Sequence, residues 1–269
     1  MNPRLSFFGF SKDIDAIAAA GYDCIEMHMH EVMKMSDVEF QAVCQKLKNS
    51  PIVCEVLDNP VPLDAVIASD SFDLEYYWNF LNTGADRAAA LGVKYYVFGN
   101  GRTRSLPAGG DIEAAKEKNL TFVRMLAEIT AQRGITILLE PLAPAISNVI
   151  HSIPEALEYA KIVGKPNIGT FLDYRWFVDR KHPFMMIEEY GQHIKHVHID
   201  NPDLPFPKRL VPRTNDGHDY LALFKALEII NYQGILSIEA NTFVGWPQDL
   251  KDGMDFFAAY GVERKKEAI

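Results

Sequence analysis

The sequence predicts an α/β fold, a closed (β/α)8 barrel, on three observations. A short apolar strand, a loop and an amphipathic helix follow one another eight times along the chain. The 269 residues match the ~250 that one such barrel needs. The first strand runs into Phe10-Ser11-Lys12-Asp13, which is no GxGxxG turn, so an open sheet built around a dinucleotide is disfavoured. Strictly alternating strands and helices pair their strands in parallel and cover both faces of the sheet. No linker, low-complexity stretch or charge run interrupts the pattern, and residues 1–269 are expected to form a single barrel domain.

The expected strands, in order, are 5–10, 24–29, 52–57, 95–98, 136–140, 168–173, 194–200 and 235–239. Helices at 13–20, 37–49, 71–91, 111–133, 154–163, 183–190 and 220–230 fit between them, and 248–260 closes the set. The second, fourth, fifth and eighth strands each follow a glycine that marks a helix end: Gly21, Gly92, Gly134 and Gly234. Ser11, Ser36 and Ser152 stand just ahead of helical patterns as N-caps. The longest loop, 202–219, is rich in proline and charge and lies at the functional end of the barrel, where it is suited to act as a lid.

Composition narrows the class of partner. The chain is 48% hydrophobic and 23% charged, ordinary for a globular protein. Its formal net charge of −9 opposes binding to a phosphate backbone, so no nucleic-acid partner is expected. No apolar run approaches the ~18–20 residues of a membrane span. The opening Met1-Asn2-Pro3-Arg4 lacks a secretory pattern, and the expected location is cytoplasmic. Cys24, Cys44 and Cys54 are odd in number and lack CxxC spacing, which argues against disulfides or a thiolate zinc site and for buried small hydrophobes.

In such barrels the chemistry sits at the C-terminal ends of the strands. The fifth strand ends in Glu140, the sixth in Asp173, the seventh in His198-Ile199-Asp200 and the eighth in Glu239. One charged residue at a strand end usually just meets water. Four on successive strands, each ~4.8 Å from the next, can converge on a single point. Three carboxylates gathered there repel and need raised pKa values unless a cation joins them. The expected metal ligands are therefore Glu140, Asp173, His198 and Glu239, a set of three oxygens and one imidazole nitrogen. That set suits one divalent ion, Mn2+ foremost, with Mg2+, Co2+ or Zn2+ compatible. His196 shares a strand face with His198, and which of the two meets the metal depends on where the strand ends. Glu26, His28, Trp176, Asp200, Arg213 and Trp246 are the candidate substrate contacts. His30, Phe177, Phe206, Lys208 and Arg209 are weaker ones, for which loop packing or solvated charge is the plainer account.

These residues carry a family resemblance along nearly the whole chain. Gly134-Ile-Thr-Ile-Leu-Leu-Glu140-Pro, Ile168-Gly-Thr-Phe-Leu-Asp173, His196-Val-His198-Ile-Asp200 and Ile238-Glu239-Ala240 resemble the sugar phosphate isomerase/epimerase group of xylose isomerase-like TIM barrels. That group includes D-tagatose 3-epimerase, hydroxypyruvate isomerase and 2-keto-myo-inositol dehydratase. Its Glu, Asp, His and Glu metal ligands fall on Glu140, Asp173, His198 and Glu239. The resemblance implies a small sugar or keto-sugar substrate, and proton abstraction next to a carbonyl through a metal-stabilised enediolate. Glu140 and Glu239 are then the catalytic pair, one removing a proton and the other returning one.

The departures are equally informative. Similar ketose 3-epimerases carry a second Glu where this chain has Ile146, a His where it has Trp176 and an Arg where it has Leu204. The alternative reading is a metal-dependent dehydratase or eliminase acting on a keto-sugar or keto-glycoside. A non-catalytic sugar-binding subunit ranks lower, because the ligand set is intact. An endonuclease-like phosphodiesterase ranks lowest, because such enzymes crowd more histidines at the rim. Barrels of this size leave room for a homo-oligomer.

Overall fold

A computed structural model describes residues 1–262; residues 263–269, which the expected domain includes, lie outside the described residues. The strands are β1 (Arg4–Gly9), β2 (Cys24–His28), β3 (Val53–Asp58), β4 (Tyr95–Phe98), β5 (Thr136–Leu139), β6 (Ile168–Asp173), β7 (Ile194–Ile199) and β8 (Ile235–Ile238). They form a closed barrel in chain order. β8 returns to β1 in parallel register, Arg4 opposite Ile235 and Phe7 opposite Ile238. The principal helices between them are α1 (Ile14–Ala20), α3 (Asp37–Lys48), α4 (Leu74–Leu91), α6 (Ile112–Ala131), α7 (Ile153–Val163), α9 (Met185–Tyr190), α10 (Tyr220–Ile229) and α11 (Gln248–Ala259).

Three short helices were not anticipated: α2 (Met29–Lys34), α5 (Gly101–Arg104) and α8 (Tyr174–Asp179). Each begins within three residues of a strand end, and four to six residues are too few for hydrophobic periodicity to register. Capping explains the other shifts. Ser152 and Ser36 cap as expected, accepting from the Glu155 and Glu39 amides. Ser11 does not; a 3-10 turn begins there, and Asp13 accepts from the Phe10 amide instead. α4 starts three residues later than expected because Asp73, not a serine, accepts from the amides of Glu75 and Tyr76.

Contacts gather into two compact units, one of residues 1–26, 45–54 and 172 onward, the other of 27–44 and 55–171. In the first, Tyr220, Phe224 and Phe256 form an aromatic cluster, with Tyr220 and Phe256 edge to face at 4.9 Å. In the second, Phe98 and Phe122 meet at 6.0 Å. The first unit also has a polar interior. Glu26 on β2 reaches both His196 and His198 on β7. These strands are not neighbours in the barrel order, so the bonds cross its inside. Ser6, Ser237 and His198 share one register level, and all are buried. Such barrels are ordinarily filled by branched apolar side chains.

The four marker glycines divide into two kinds. Gly92 takes the left-handed conformation, φ 87°, that ends α4. Gly234 does not; Asn231 turns the chain at φ 48° instead. Glycine is needed at 234 for space, since a Cβ there would lie 2.6 Å from the Lys195 carbonyl oxygen and overlap the Tyr232 hydroxyl. Gly234→Ala is expected to lower the unfolding free energy by about 1–3 kcal/mol, as overpacking does. Urea unfolding followed by circular dichroism measures it, and an unchanged midpoint would show that the β7–β8 backbone relaxes freely.

Candidate active site

The strand ends carry Glu140, Asp173 and His198 in buried positions and Glu239 in a partly exposed one. Asp173 closes β6, His198 lies one residue short of the end of β7, and Glu140 and Glu239 immediately follow β5 and β8. Within the first unit, ligand atoms of Glu26, His196 and His198 lie within 4.8 Å of one another. Glu239 joins through His198, whose Nδ1 is 3.0 Å from Glu239 Oε2. Of the two histidines, it is His198 that reaches these carboxylates, while His196 lies deeper and bonds Glu26.

Glu26 explains how His198 is aimed. Its carboxylate is fully buried and accepts from His198 Nε2 at 3.0 Å and from His196 Nε2 at 3.0 Å. Burial by itself would push the carboxyl up, but the two imidazoles outweigh it and hold Glu26 far below the ordinary range. Burial likewise works against a charged His198, and the Glu26 and Glu239 charges overcome it, raising that imidazole well above its usual value. With Nε2–H given to Glu26, Nδ1 points at Glu239. A carboxylate behind a ligating histidine fixes its tautomer and orientation.

A loop residue occupies the centre of the cluster. Arg209, 4% exposed, donates from Nη2 to Asp173 Oδ2 at 2.8 Å and lies 3.2 Å from Glu239 Oε2. Its guanidinium stands 5.5 Å from the centre of the Trp176 ring, and Phe206 packs against that ring at 5.2 Å. Burial pushes Asp173 up, and the Arg209 and His198 charges, with the donors from Arg209 and the Trp176 amide, hold it below its usual value. Sequence reasoning ranked Arg209 low, because nothing in a proline-rich loop marks which cation turns inward. Arg175 is a further residue it missed. Its guanidinium grips Asp200, with Nε 2.8 Å from Oδ2.

The expected substrate contacts divide. Glu26 and Asp200 are fully buried and bond side chains of the barrel, His196 and His198 for the one and Arg175 for the other. Burial pushes Asp200 up to about 6 against the pull of Arg209 and Arg175. Arg213, its side chain 45% exposed, bonds Asp252 on α11 at 2.8 Å. Trp246 is 38% exposed and packs on Phe243 at 4.9 Å. Trp176 is buried beneath Arg209. In the second unit, His28 Nδ1 is 3.4 Å from Asp58 Oδ2, and its ring lies 4.6 Å from that of His30.

The donor set fits a divalent cation. Carboxylate oxygens and imidazole nitrogens are donors that such an ion accepts, and the positive charge of Arg209 already lies between the Asp173 and Glu239 carboxylates.

Eight strands closed in chain order, each followed by at least one helix, define the class: a (β/α)8 barrel. Within it, the chain belongs to the xylose isomerase-like TIM barrel family, whose model matches residues 14–260. No curated protein matches the chain in sequence. Among solved structures, L-ribulose 3-epimerase is 17% identical with a TM-score of 0.79, over 96% of this chain and 94% of that one. The 3-keto-D-glucoside 4-epimerase of E. coli is 16% identical with a TM-score of 0.76, over 97% and 99%. The IolI protein with a bound zinc atom is 18% identical with a TM-score of 0.72, over 96% and 97%. At these identities the likeness establishes the fold.

Removing Glu26 should expose how much the buried network carries. Glu26→Ala leaves His196 and His198 without their acceptor and is expected to cost about 3–5 kcal/mol of stability, as loss of one partner of a buried pair does. Glu26→Gln, which keeps one acceptor oxygen, should cost less. Equal and small losses for both in denaturant titrations would show that the carboxylate is dispensable.

Proposed function

We propose that this protein is a divalent-metal-dependent sugar isomerase or epimerase that works by proton removal beside a carbonyl, with residues 1–269 forming one barrel domain. The observation that carries the reading is the His198 imidazole against Glu239, with the Arg209 guanidinium bonded to both Asp173 and Glu239. Glu140, Asp173, His198 and Glu239 would hold the ion, Mn2+ foremost, with Mg2+, Co2+ or Zn2+ accepted by the same donors. When bound, such an ion polarises the substrate carbonyl and stabilises the negative charge left when the neighbouring C–H loses its proton.

The protein's own groups do the rest. Glu140 and Glu239 flank the substrate; one takes the proton and the other returns one, a contribution typically worth ~10²–10⁴-fold. Return to the opposite face gives an epimer, and return to the neighbouring carbon gives the aldose–ketose isomer. Glu26 keeps His198 turned so that Nδ1 faces the ion. Arg209, backed by Trp176, is placed to receive sugar oxygens through its donor-rich fork. His28 and Trp246 supply further contacts at the rim. The substrate is a small sugar or keto-sugar, handled in the cytoplasm, where the thiols of Cys24, Cys44 and Cys54 stay reduced. Among the described residues no helix is long and apolar enough to cross a membrane.

A second reading, elimination from a keto-sugar or keto-glycoside, draws on the three positions that depart from the ketose epimerases. A Cβ on Gly101 would overlap the Ile146 carbonyl, the Leu204 carbonyl accepts from Arg175 Nη1 at 3.0 Å, and Trp176 lies under Arg209. None of the three offers a charged side chain to a ketose. Elimination shares the first proton removal and then loses a leaving group from the adjacent carbon.

The Mn2+-loaded protein, incubated in D2O with panels of free ketoses, phosphorylated sugars and keto-glycosides, should place deuterium at one carbon beside a carbonyl, read by NMR. Glu140→Gln and Glu239→Gln should each abolish the exchange, and EDTA should abolish it reversibly. Near-native exchange by either variant, or full exchange in the metal-stripped protein, refutes the assignment. Loss of a substituent from the substrate selects the elimination reading.

A further inference from the structure

Glu140 is held at its main chain as well as at its side chain. Arg104, the last residue of α5, is 3% exposed, and its guanidinium spans two strand ends. Nη1 donates to the carbonyl of Phe98, the last residue of β4, at 2.9 Å, and Nη2 donates to the carbonyl of Glu140 itself. β4 and β5 are paired neighbours, with Phe98 opposite Leu139, so the arginine ties their ends together. Arg104 is in turn rooted in α6, where Asn119 Nδ2 donates to its carbonyl at 3.1 Å. On the side-chain end, a Cβ on Gly99 would overlap Glu140 Oε2, so the carboxylate lies across the bare backbone of that glycine.

We propose that Arg104 is a positioning residue for Glu140, anchoring its main chain so that the carboxylate rests over Gly99 in the pose that holds the metal and moves the proton. The proposal rests on the reading of Glu140 as a metal ligand and catalytic carboxylate. Planar geometry explains the choice of arginine: two donors in one rigid fork bridge two carbonyls, which a lysine ammonium on a flexible stem does not reproduce. Burial lowers the guanidinium to about 10, with the Glu140 charge opposing, so it keeps its charge at neutral pH. That charge faces Glu140, the carboxylate on whose ionised form the site depends.

Full-length Arg104→Met, Arg104→Lys and Glu140→Gln, each metal-stripped, are titrated with Mn2+ alone by calorimetry, alongside their melting temperatures. Loss of a group that orients a metal ligand typically weakens the metal about 10- to 100-fold. Arg104→Met is expected to fall in that range, and Arg104→Lys, which keeps the charge and one donor, to recover part of the affinity at a melting temperature near the parent's. A merely structural role would lower the melting temperature and leave the dissociation constant of the folded fraction alone. If Arg104→Met does not fold, Arg104→Lys decides, through a weakening of at least threefold (about 0.65 kcal/mol). Mn2+ affinity within twofold of the parent in the folded Arg104 variants, while Glu140→Gln loses it, overturns the positioning proposal alone. Parent-like affinity in Glu140→Gln overturns the ligand reading of Glu140, and the proposal with it.

Discussion

Everything at the mouth of this barrel answers to one electrostatic constraint: acidic side chains brought to adjacent strand ends must be neutralised. Two unit charges at 4 Å interact by ~4 kcal/mol at an effective dielectric of 20. The chain meets this with His198 and Arg209, each in contact with more than one carboxylate. A site that draws a guanidinium and an imidazolium among its carboxylates is electrostatically prepared for a divalent ion. The surrounding apolar barrel strengthens the attraction between these charges.

The constraint propagates inward. Glu26 holds His198 from across the barrel, which leaves its other ring nitrogen facing Glu239. Filling a barrel interior with Glu26, His196, Ser6 and Ser237 forgoes apolar packing, and it is tolerated because the charged members pair with one another. Outward, Arg175 performs a comparable service for Asp200, and Arg104 for the main chain of Glu140. Three buried arginines, Arg104, Arg175 and Arg209, thus stand around the strand ends, each bonded to backbone or carboxylate and none solvated like the charges of the outer face.

Much of the fold was legible in order and kind. The eight strands carry apolar runs that no open surface would tolerate, and the long helices carry the matching period. The short turns α2, α5 and α8 were not, because a helix of four to six residues has no period to detect. Gly234 shows a subtler limit. As a sequence mark it is indistinguishable from Gly92, yet one serves backbone conformation and the other the approach of Lys195 and Tyr232.

The candidate ligands Glu140, Asp173, His198 and Glu239 could be named from the chain alone, because a charged residue at the end of a buried apolar strand conflicts with its surroundings, and such conflict is visible locally. What only tertiary structure decided is which side chains face one another. Glu26 and Asp200 turned inward to partners roughly 170 and 25 residues away, Arg209 turned in from a loop while Arg213 turned out to α11, and Arg104 crossed two strands. Direction within a loop and partnership across a barrel depend on how distant segments close on one another, and local pattern does not encode that.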